Sequence, residues 1–129
     1  MKYYIARTME VSLEDALPRV EEALKAEGFG IISHIDIKDT LKKKIDVDFR
    51  PYRILGACNP TLAYEALQLE DKVGAMLPCN VVVQQTGPAQ SEVAAVDPVA
   101  SMQAIENPAL HEAARKVREK LARVIASLD

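Results

Sequence analysis

The chain has 129 residues, the length of one ordinary domain, and with 49% hydrophobic residues it can close a core without disulfides or metals. Its net charge of −3 argues against a dedicated nucleic-acid binder, and no apolar run approaches the ~18 residues of a membrane span. Tryptophan is absent and aromatics are few, so the core should be aliphatic and stacking platforms for single-stranded nucleic acid are scarce.

Residues 2–9, with Tyr3, Tyr4 and Ile5, read as a first strand. They hold no apolar run followed by a small-residue cleavage site, so the start of the chain does not read as a signal peptide and the expectation is a cytoplasmic protein. Ser12 then offers a helix N-cap, with Asp15 in place of the usual capping-box Glu or Gln. Leu13, Ala16, Leu17, Val20, Ala23 and Leu24 follow at helical spacing. Pro18 suits this helix if Asp15 is the cap; if Ser12 is, the proline removes a hydrogen bond past the first turn. Gly28 is a good stop, since glycine takes the left-handed C′ conformation without strain.

Residues 29–35 read as a second strand. Asp36 or Asp39 would cap a short helix whose Ile37, Leu41, Ile45 and Phe49 lay an apolar stripe on the sheet. Lys42, Lys43 and Lys44 project elsewhere, as a solvated face or, with Lys38, Arg50 and Arg53, as an anion-binding patch. Tyr52 to Cys58 reads as a third strand. Asn59-Pro60 starts the next helix: Asn caps, and Pro at the first helical position has its φ pre-set and lacks a donor no helix bond needs. Leu62, Ala63, Ala66, Leu67 and Leu69 mark its buried side, and Asp71 to Leu77 turns around Gly74.

Residues 79–86 read as a fourth strand, Gly87-Pro88 as a turn, and Glu92 to Val96 as a fifth strand in a hairpin with the fourth. Asp97-Pro98 opens a short helix over 98–105, and Asn107-Pro108 opens a last helix running to about Ser127. That helix buries Leu110, Ala113, Ala114, Val117, Leu121, Val124, Ile125 and Leu128. Its outer face sets Glu112 against Lys116, Arg115 against Glu119, and Glu119 against Arg123. The whole is a single domain over residues 1–129, α+β in class, with a mostly antiparallel five-stranded sheet and helices packed on one face.

Several of these stretches resemble the domain of unknown function 302 family: Gly28-Phe29-Gly30, Asp39 to Lys44, Tyr52 to Pro60, Leu77-Pro78-Cys79-Asn80-Val81, and Asp97-Pro98. The runs through Cys58 and Cys79 are the most specific. The resemblance implies a curved antiparallel sheet in a TATA-binding-protein-like arrangement and association as homodimers. It implies no activity, and the fold likeness carries no DNA binding with it.

The candidate site is Cys58 with Asn59 and Cys79 with Asn80. Antiparallel pairing of the third and fourth strands brings the two cysteines together, and Cys58 directly precedes a helix start, where the dipole favours a thiolate. Such a pair suits thiol–disulfide exchange and is half of a tetrahedral metal site. It equally suits two small buried hydrophobes at strand ends. His34 and His111 are the only histidines, and nothing in the sequence sets either beside the cysteines. The acids Asp36, Asp39, Asp46 and Asp48 read as caps and solvated positions. No Ser-His-Asp order, phosphate loop, dinucleotide fingerprint or His-Glu-x-x-His helix is present, so no enzyme class is indicated and the cofactor is left open.

Three functions follow. The first is a cytoplasmic homodimeric ligand-binding or interaction module, with a small anionic ligand at the helix starts after Asn59 or Asp97. The second is a thiol-redox or metal-binding protein, enzymatic or not, that uses Cys58 and Cys79. Nucleic-acid binding on the sheet or the lysine helix ranks last, and no membrane association is expected.

Overall fold

The computed structural model describes residues 2–129; Met1, which opens the stretch read for a leader, lies outside them. The described elements run β1 (Tyr4–Met9), α1 (Leu13–Ala26), β2 (Gly30–Asp36), α2 (Ile37–Ile45), β3 (Tyr52–Cys58), α3 (Pro60–Leu69), a 3₁₀ turn (Val73–Met76), β4 (Cys79–Gly87), β5 (Gln90–Val96), α4 (Pro98–Ser101) and α5 (Pro108–Ala126). The strands form one open sheet in the order β1-β5-β4-β3-β2, with every neighbouring pair antiparallel. The α+β reading therefore holds. β5 begins at Gln90, earlier than expected, and α4 stops at Ser101, not at 105.

Local chemistry sets most element starts. Asn59, Asp97 and Asn107 each accept backbone N–H bonds at a helix start, and each is followed by a proline in the first turn. The Ser12 hydroxyl accepts from Asp15 N at 3.3 Å, so α1 starts early and carries Pro18 inside it, on the exposed side. Gly28 has φ +86°, and Gly28 N and Phe29 N donate back to Lys25 O and Leu24 O, which ends α1 as a glycine cap should.

Alternation along the strands sorts the sheet into two faces. Leu55, Ala57, Cys79, Val81, Val83, Val93 and Ala95 are buried on one face, where α1 and α5 pack. On the other, Ala6, Ala94, Val82, Ile54 and Ile35 are register partners in turn, one row across all five strands, and all are at least partly exposed.

Two expectations fail. The stripe Ile37, Leu41, Ile45, Phe49 is not a helix face laid on the sheet: Asp46, at φ 55°, turns the chain out of the helix before Phe49, and no residue of α2 is buried. Ile45 is 63% exposed, while the Phe49 ring stacks against Arg50 and lies 6.0 Å from that of Tyr52. The charges of α5 also pair differently. Lys116 reaches Glu65 of α3 at 3.5 Å, Arg123 reaches Glu27 at 3.0 Å, and Arg118 reaches the Asp97 cap at 2.9 Å. These charges join α5 to its neighbours, and only Arg115 pairs within the helix, with Glu112 at 3.3 Å.

Candidate functional site

The third and fourth strands pair antiparallel, so Cys58 and Cys79 stand at neighbouring strand ends. Cys79 is the register partner of Ala57, the residue before Cys58. Cys79 is buried, Cys58 is half-buried, and neither is in a disulfide. Both line a cavity of about 300 Å³ that also touches α3, α4 and α5. Gly56 lets these strand ends close up: a Cβ there would strike Ser33 Oγ and come within 2.8 Å of Pro78 Cγ. The peptide bond between Leu77 and Pro78 is cis.

The cavity exists because the buried residues fall into two clusters. The main one holds the inner sheet face, α1 and the C-terminal half of α5, with Leu121, Val124 and Ile125. The smaller one joins Ala66, Val73, Met102, Leu110 and Ala114 from α3, the 3₁₀ turn, α4 and the N-terminal half of α5. Where they meet, the wall includes the alanines Ala57, Ala63, Ala66, Ala113 and Ala114. A methyl group at each of these positions cannot reach across the seam, so space is left. Ile32, 65% exposed, and Leu67, 43% exposed, also belong to the wall and mark where it meets solvent.

No charged side chain lines this space. Burial, with the neighbouring Cys58 adding to it, pushes the Cys79 thiol up from 9.0 to about 11. A thiolate there lacks water and a cationic partner, so Cys79 is a poor nucleophile at neutral pH. Asn59 lines the cavity too, but its side chain is committed: Oδ1 accepts from Leu62 N at 3.2 Å, and Nδ2 donates to Glu27 O at 3.5 Å.

Asn80 does not join the other three candidates. It follows Cys79 on the strand, so the pleat turns it to the opposite face, where it is exposed in a groove with Tyr3, Tyr52 and Glu92. The histidines stay apart as well. His34 Nε2 lies 3.0 Å from Arg53 Nη1, and His111 Nε2 lies 2.6 Å from Ile105 O. Among the described residues no cluster of three His, Cys, Asp or Glu side chains could hold a metal ion. Two lysines of the run pair with nearby acids: Lys42 meets Asp46 at 2.8 Å and Asp48 at 3.3 Å, and Lys43 meets Asp39 at 3.0 Å, while Lys38 Nζ donates to Phe49 O.

Sequence reasoning located the cysteines and missed the cavity. A signal was present: the alanines of α3 and α5 occupy helix positions that also read as buried, and facing alanines bring helices together or leave room between them.

The model of the family described as "Domain of unknown function DUF302" matches residues 5–128. No curated protein matches the chain. It is similar to the crystal structure of an uncharacterized conserved DUF302 protein from Bacillus stearothermophilus, at 29% identity over 98% of each chain and a TM-score of 0.90. No helix among the described residues is long and apolar enough to cross a membrane.

Proposed function

The chain belongs to the DUF302 family, a domain of unknown function, and from that premise we propose that it is a cytoplasmic small-molecule-binding module whose ligand occupies the cavity between the Cys58/Cys79 strand ends and helices α3, α4 and α5. The observation that carries this reading is the cavity itself. Its volume of about 300 Å³ lies at the small end of ligand pockets, typically about 300–1,000 Å³. Its wall is aliphatic and uncharged, which favours an apolar ligand over the anion expected from the helix starts. An anion would forfeit hydration there and meet no cation.

Thermal unfolding with decanol and with decanoate tests this. Decanol should raise the melting temperature in a dose-dependent way, as a ligand that binds only the folded state must, and decanoate should not. A shift with decanoate alone would return the site to an anion; no shift with either would remove the reading.

The homodimer belongs to the same proposal. The row Ala6, Ala94, Val82, Ile54 and Ile35 is an apolar strip that a second copy can match with its own. Val82 is its midpoint, and Val82→Arg should convert a two-chain species to a single chain in sedimentation equilibrium. A native protein that already sediments as one chain would end the dimer assignment.

Thiol redox chemistry is the weaker reading. Exchange needs a thiolate, and no cation lines the cavity to hold one.

A further inference from the structure

The cavity meets solvent at one stretch of its wall. Among the described residues that line it, Ile32 and Leu67 alone are exposed, and both are aliphatic. Each is held there by its own element. Ile31 pairs with Ala57 and Ser33 with Gly56, so Ile32 is the extra residue of a bulge in the edge strand β2. In a bulge two residues oppose one, and side chains there are re-aimed. Ile31 packs on the main cluster, while Ile32 reaches the cavity wall. The missing side chain at Gly56 leaves room for Ser33 Oγ where the register resumes. On α3, Leu67 and Glu65 lie about 200° apart around the helix axis, on opposite flanks. The Glu65 flank is tied to α5, where Lys116 Nζ meets Glu65 Oε1 at 3.5 Å. The end of α3 is tied too, since Asn107 Nδ2 donates to Leu69 O at 2.9 Å. The Leu67 flank, with Tyr64 exposed one turn before it, stays open to water.

We infer that ligands enter the cavity between Ile32 and Leu67, and that Ile32 is the gate residue that sets the rate of entry and the class admitted, an uncharged aliphatic chain. The inference rests on the ligand site proposed above. Two branched aliphatic side chains at the mouth offer no hydrogen bond, so a ligand gives up its water while passing them. An alkyl chain loses nothing by this, whereas a charged group forfeits its hydration and meets no partner. Because most of the Ile32 side chain is in water, it changes rotamer without disturbing the core, and α3 keeps its ties as the ligand passes. A wider mouth therefore speeds entry and release by the same factor and leaves affinity nearly unchanged. A residue that only supports the fold or only touches the bound ligand changes affinity instead.

The test titrates the ¹⁵N-labelled full chain with decanol and reads NMR line shapes, which give affinity and exchange rate together. Ile32→Ala should speed entry and release by about fivefold or more, with affinity within about twofold of native. Leu67→Ala widens the same mouth from α3 and should do likewise, whether or not Ile32→Ala folds. Tyr64→Ala, exposed on α3 but outside the cavity wall, should change neither rate. Unchanged exchange in either folded mouth variant overturns the gate and leaves the ligand site standing. Weaker affinity at an unchanged entry rate makes Ile32 a contact residue and overturns the gate as well. A native chain with no decanol-dependent shifts at the cavity removes both the gate and the ligand site.

Discussion

The two hydrophobic clusters are built from the same kinds of residue and end differently. In the main cluster, branched side chains on adjacent strands fill the space against α1 and α5: Leu55, Val81, Val83, Val93 and Leu121 are all fully buried. In the smaller cluster, α3 and α5 contribute the alanines Ala66 and Ala114 beside Val73, Met102 and Leu110, and the contact between the clusters stays incomplete. A sheet is a continuous surface whose pleat puts a side chain at every second residue, so a helix laid on it finds few gaps. Helices that meet through small residues enclose a gap unless a large side chain fills it. Helix α5 runs through both situations, tightly packed over Leu121 to Ile125 and bordering open space over Leu110 to Val117. Chemistry follows packing here, because the two thiols stand at the seam.

The largest effect expected at that seam is on pH dependence. The Cys79 thiol is raised from 9.0 to about 11 in the folded chain, chiefly by burial. The folded state therefore holds this proton more tightly than the unfolded state. The resulting stability is complete below the ordinary thiol value and is lost as pH rises through about 11. At about 1.4 kcal/mol per unit, the loss should be about 2–3 kcal/mol. Urea unfolding of native and Cys79→Ala chains from pH 8 to pH 11 measures it, with tyrosines and lysines contributing equally to both. Parallel curves for the two chains would mean that the thiol is hydrated, and that the seam is as wet as a surface.

Most of the fold was legible because the signals were local. The cap-and-proline starts at Asn59, Asp97 and Asn107 and the stop at Gly28 concern a few neighbouring residues, and each appears where the sequence put it. The α2 stripe misled because every-fourth-residue spacing continued past Asp46, and spacing cannot report a left-handed residue that ends the helix. The charges of α5 misled for a related reason. Within the helix Lys116 and Arg123 have i−4 partners, but Glu65 and Glu27 approach from other elements. At the site, strand pairing sets Cys79 beside Ala57, so Cys58 and Cys79 end neighbouring strands, and the alternation that turns Asn80 away from Cys79 sets Cys58 on the other side of the pleat as well. The cavity was legible only as buried alanines on α3 and α5, because spacing does not say which of them face one another.

The comparison is sharpest when one substitution is made in both regions. Ala95, fully buried on β5, sits in the filled cluster, and Ala113, 3% exposed on α5, borders the cavity. A leucine at Ala95 has nowhere to go without moving the sheet or α5, and overpacking of this kind costs about 1–3 kcal/mol. A leucine at Ala113 extends into space that is already open, where cavity filling commonly adds about 0.5–2 kcal/mol. The expected gain is near the low end, because the cavity reaches solvent and part of the new side chain exchanges water for water. Chemical unfolding should therefore give opposite signs for Ala95→Leu and Ala113→Leu. The second variant should also lose its melting-temperature response to decanol, since its side chain takes the ligand's place. If Ala113→Leu destabilises as much as Ala95→Leu, the seam is closed in solution and the two clusters are one core. The ligand would then have to open the space it occupies, and its binding would be weakened by the cost of that opening.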